Sequence, residues 1–191
     1  MSRLNLRLLA AAGILLLAAA TQAQDTNVLK TGLENFEAQT GVVIVRGAGL
    51  VGEVHAGSGV VSVITKESQN FRSGQKQYGI AIGVTKVPNA LEDSTVVDYD
   101  ELDNLINGIE FVSKANHSVT SLPSFDAGFT TRGGLRVFAY TSIREQGGVQ
   151  AAVQGPHMAN ARLLLTPAQL AQFTDLVKQA KAQLDKLRTA K

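Results

Sequence analysis

Apolar and polar positions follow three different patterns along the chain. Leu8 to Ala20 (LLAAAGILLLAAA) is an unbroken apolar run. From Val42 onward, short β-branched runs are bounded by glycine, first Val42 to Val45 and then Val60 to Thr65, as expected of strands. Tyr78, Ile80, Ile82 and Val84 alternate with Gly79, Ala81, Gly83 and Thr85, a period of two with one bulky and one small face. Phe125 to Thr131 and Leu135 to Thr141, joined at Arg132-Gly133-Gly134, read as a hairpin. Val149 to Val153 and Ala161 to Leu165 are shorter strand candidates.

Two segments carry helical spacing instead. Leu102, Leu105, Ile106, Ile109 and Val112 fall on one face. Asp98 with Glu101 three residues on predicts a capping box at its start, and Val97 with Leu102 a hydrophobic staple. Leu170, Phe173, Val177, Ala180, Leu184 and Leu187 form the second stripe. It begins at Thr166-Pro167-Ala168-Gln169, where Pro at the first helical position gives up only an N–H that would be unpaired anyway. Leu165 and Leu170 are its staple. Each helix directly follows a short apolar strand. Leu33 to Ala38 (LENFEA) also echoes Leu122 to Ala127 (LPSFDA). The expected fold is therefore α+β, a curved antiparallel β-sheet with two amphipathic helices in one domain, residues 24–191. Two ββββα-like halves are expected at about 33–115 and 122–188.

Several strands and then a helix, twice over, resembles the ββββα halves of the Whirly proteins and the related single-strand-DNA-binding coactivators. Ala161 to Val177 (ARLLLTPAQLAQFTDLV) carries the closest local likeness. That resemblance implies two packed halves and an affinity for nucleic acid or another anionic polymer. The chain is also similar to small secreted bacterial proteins to which no function is assigned.

The first apolar run bears on that implication. Arg3 and Arg7 precede it, it is too short for a ~30 Å hydrocarbon core, and Thr21-Gln22-Ala23 supplies small residues before Gln24. Residues 1–23 thus read as a cleavable signal peptide, and the expected location is periplasmic or secreted. They hold two of the 18 Lys+Arg and none of the 16 Asp+Glu, which leaves the rest balanced at 16 against 16. A neutral, exported chain is a poor nucleic-acid binder, since phosphate contacts dominate such affinity. With no cysteine there is no disulfide framework, and an ordinary core must carry stability. No later apolar stretch approaches transmembrane length either.

Four motifs invite chemistry. Gly47-Ala48-Gly49-Leu50-Val51-Gly52 is a literal G-x-G-x-x-G, but dinucleotide binding needs a helix next, and Glu53 to Thr65 is rich in Gly, Val and Ile. Strand with glycine bends or bulges is expected there, and no cofactor. Glu92, Asp93, Asp98, Asp100, Glu101 and Asp103 lack the glycine and distal Glu of a calcium loop. His55, His117 and His157 have no ligand-spaced partner. Lys178, Lys181, Lys186 and Arg188 form a candidate face for an anionic partner, or else a solvated helix end. No catalytic or metal site emerges. The expected function is a non-enzymatic binding or structural module of unknown ligand, self-associating through sheet edges or helix faces. The alternatives are a hydrolase built on His55 and nearby carboxylates, and anionic-polymer binding as the resemblance implies.

Overall fold

Alternation along the strands decides which face is buried. In the computed structural model, which describes residues 30–87, 91–142, 147–157 and 162–190, β1 (Ile44–Ala56), β2 (Gly59–Asn70), β3 (Lys76–Lys86) and β4 (Leu91–Asp98) form an antiparallel sheet in that order. Val63, Ile82 and Thr95 stand in register across β2, β3 and β4, with Val61 and Val84 in the next row. These side chains face inward; Val61, Val63, Ile82 and Val84 are fully buried. β5 (Asp126–Thr130), β6 (Arg136–Ser142), β7 (Gly148–Gln154) and β8 (Arg162–Leu165) make a second, shorter antiparallel sheet in the same sequential order.

The helices sit where the apolar spacing placed them. α2 (Leu102–Lys114) buries Leu102, Leu105, Ile109 and Val112. α3 (Pro167–Thr189) starts at the expected capping box, with Thr166 and Gln169 bonded reciprocally, and buries Leu170, Phe173, Val177, Ala180 and Leu184. Leu187 departs from the expected stripe. It is 45% exposed, because the last turn of α3 runs on past the core. The order is four strands and a helix, twice, as the sequence suggested. The expected signal segment lies outside the described residues.

Each helix packs mainly on the other set of strands. α2 follows the first sheet but lies on β5 and β6, whereas α3 follows the second sheet but lies on β1, β2 and α2. Gly108 of α2 makes this possible, since a Cβ there would stand 2.4 Å from the Phe129 ring of β5. One continuous apolar cluster results, drawing on both sheets and both helices.

A third helix, α1 (Gly32–Glu37), was not expected. Thr31 caps it in a box with Glu34, and Leu33 and Phe36 are buried on the small-residue side of β3 near Gly79. The two echoing hexapeptides therefore fold differently, one as α1 and the other as an irregular lead into β5. The expected capping box at Asp98 is also replaced. Asp98 makes no side-chain bond at the start of its own helical segment, a 3-10 turn at Tyr99–Glu101. Its carboxylate instead accepts from the Gly32 and Leu33 amides at 2.7 and 2.8 Å, so it caps α1. Two open main-chain donors at the end of α1 outcompete the local option. No helix among the described residues is long and apolar enough to cross a membrane.

Candidate functional site

Small residues on the inner face of the second sheet leave a space that the crossed helices do not fill. Ala139 and Ala151 are direct cross-strand partners on β6 and β7. Over them opens a cleft of about 480 Å³, closed by Val112, Ser113 and Ala115 at the end of α2 and by Thr166, Pro167 and Leu170 at the start of α3. Val149, 39% exposed, stands at its mouth. The polar groups gather at the rim. Gln169 takes the Thr166 amide on its carbonyl and donates its amide to the His55 carbonyl at 2.8 Å, which fixes the start of α3 against β1. Such a cleft can take an apolar body and orient it through a few hydroxyl and amide groups.

A second cavity of about 510 Å³ is lined mainly by charged and phenolic side chains. Lys76, Tyr78, Asp98, Tyr99, Asp100, Arg132 and Arg188 line it. Arg132 binds Asp100, approaches Asp98 at 3.5 Å, and donates from its amide to Glu101 at 2.8 Å. The bond to Asp100 strengthens the protonated guanidinium and raises its pKa. Tyr99 donates its hydroxyl to Asp185, holding that carboxyl below its usual range, and Arg188 stacks 3.8 Å from the Tyr99 ring. Burial pushes the Tyr78 phenol up. These opposite charges already satisfy one another, so the cavity offers few free groups to a ligand.

The outer face of the second sheet carries a third feature. Arg136, Phe138 and Tyr140 alternate along β6, with the Arg136 guanidinium 4.3 Å from the Phe138 ring and that of Arg162 5.2 Å from Tyr140. Phe138 is only 3% exposed beneath them. Asp126 pairs with Arg136. The period-two spacing of Arg136, Phe138 and Tyr140 was visible in the sequence and would have marked this face.

The candidate cations are largely spoken for. Lys178 binds Glu110 at 2.7 Å, which raises the Lys178 pKa and lowers that of Glu110. Lys181 lies between Asp103 at 3.6 Å and Asp185 at 3.5 Å, Arg188 stacks on Tyr99, and Lys186 is exposed. Much of the expected anionic-partner face is thus the seam between α2 and α3.

The histidines lie apart. His55 is 73% exposed, 3.4 Å from Glu53 on the same strand. His117 meets the Gly147 carbonyl at 2.8 Å and the edge of Phe125. His157 takes the arrangement the sequence did not signal. Its amide donates to Asp93 at 2.9 Å and its Nδ1 lies 3.0 Å from the same carboxylate, which is 2% exposed. Only the register of β4 could have revealed that pair. The acidic run therefore disperses to separate partners, and no group of three metal-ligating side chains forms among the described residues. The G-x-G-x-x-G lies wholly within β1, with a register irregularity between Leu50 and Gly52, and a strand follows rather than a helix. No protein-family model, curated protein or solved structure matches the chain.

Proposed function

We propose that the chain is an exported, non-enzymatic binding module that holds a small, largely apolar ligand in the cleft over Ala139 and Ala151. The observation that carries this reading is the cleft itself. Its volume of about 480 Å³ is that of a small-molecule site, and Val112, Ala139, Ala151, Leu164 and Leu170 give it largely apolar walls. The paired alanines support it further, because two larger side chains there would fill the space and bury about 0.8 kcal/mol per added methylene. The cavity beside Tyr99 is of similar size, but its lining is dominated by charged groups engaged with each other and offers little apolar wall to such a guest.

Titration with the apolar fluorophore anilinonaphthalene sulfonate tests the reading. One saturable site is expected in the native protein. Ala151→Leu, which fills the floor, and Val149→Asp, which sets a like charge against the sulfonate at the mouth, are each expected to abolish it while melting temperature and far-ultraviolet dichroism are retained. Absence of saturable binding, or equal binding by both variants, would remove the proposal.

A further inference from the structure

The two edges of the first sheet are treated differently. β4 is covered. The Arg132–Gly134 turn lies against it, with the Thr95 hydroxyl donating to the Gly133 carbonyl at 2.6 Å and Gly133 packed so closely that a Cβ would stand 2.2 Å from the Val96 carbonyl oxygen. Gly155 and His157 close over Asp93 further along. On β1, Gln169 and Gln172 of α3 donate their amides to the His55 and Glu53 carbonyls, which shields the end of the strand. Among the described residues, nothing covers the stretch Val45 to Leu50 in this way. All six of its residues are exposed, Val45 to 51% and Leu50 to 63%. A long apolar edge left open is a template for another strand.

We infer that this stretch of β1 pairs antiparallel with the same stretch of a second copy, about a two-fold axis beside Gly47 and Ala48. Several features select a copy of the chain as the occupant. Gly47, Ala48 and Gly49 place no bulky side chain at the centre, and Arg46 is drawn aside to Glu37, whose carboxylate and carbonyl it meets at 3.5 and 2.8 Å. An antiparallel edge is self-complementary about a two-fold axis, so both copies satisfy the same groups. Leu50 also begins an apolar row, Leu50, Ile64, Ala81 and Val96, across the outer face of all four strands. Pairing at β1 joins two such rows into one surface. With β4 covered and the far end of β1 capped, growth ends at two copies. The surface is separate from the cleft, so ligand binding and pairing stand or fall independently.

Sedimentation velocity on the purified protein reads the result directly. A species of twice the chain mass is expected, reverting to the single mass in the double variant Val45→Lys, Leu50→Lys. The chain has no cysteine of its own. Ala48→Cys should therefore cross-link between copies on mild oxidation, whereas Ser94→Cys on covered β4 should not. A single mass at every concentration, a dimer indifferent to the two lysines, or equal cross-linking by the two cysteine variants would each overturn the inference. So would a monomer that takes up unrelated extended peptides at β1.

Discussion

Asp93 and Asp98 lie on the same strand, both are buried, and both reach segments far away in sequence, yet they do different work. Asp98 points to the outer side of β4, where it gathers two main-chain donors of α1 and the guanidinium of Arg132. Asp93 points to the inner side and holds the amide and ring of His157, a side chain 65% exposed. The value of a buried carboxylate is set by what would be stranded without it. For Asp98 that is a helix terminus whose Gly32 and Leu33 amides it alone caps among the described residues, whereas Arg132 keeps Asp100 and Glu101. For Asp93 it is a loop whose ring can turn to water.

The contrast can be broken by substitution. Asp98→Ala is expected to cost about 2–4 kcal/mol, because it leaves two main-chain donors at the start of α1 unpaired and loosens that helix. A fall in the urea midpoint measures it, and a loss below about 1 kcal/mol would mean that Thr31 and Glu34 suffice to hold α1. Smaller effects follow on the other aspartate. Asp93→Asn keeps one acceptor and should cost about 1–2 kcal/mol, and His157→Ala about 1 kcal/mol or less, since its ring faces solvent. A His157→Ala variant as unstable as Asp98→Ala would erase the distinction.

The same contrast shows what was legible beforehand. Local devices were readable: the period of two in β3, the helical stripe from Leu102 to Val112, and the box of Thr166, Pro167 and Gln169 all predicted what forms. α1 was readable too, as Thr31 and Glu34 carry the same signature, but six residues make a weak periodic signal. Asp98 misled because its local geometry suits its own helix equally well. Only the arrival of α1 from 66 residues away decides where the carboxylate points. The cleft was not legible at all. It depends on Ala139 meeting Ala151 and on which helix covers which sheet, and both are long-range facts.

The crossed helices govern the order in which the molecule can be completed. β1 and β2 adjoin in sequence, but the side chain that shields the Glu53 carbonyl arrives 119 residues later. Contacts of such span slow folding, because loop-closure entropy is lost before the contacts form. A chain emerging from its amino terminus therefore keeps the inner face of its first sheet uncovered until its last turns are made. A fragment ending at Leu165 is expected to show no cooperative melting transition by calorimetry, and a sharp transition would show that the first sheet can close alone.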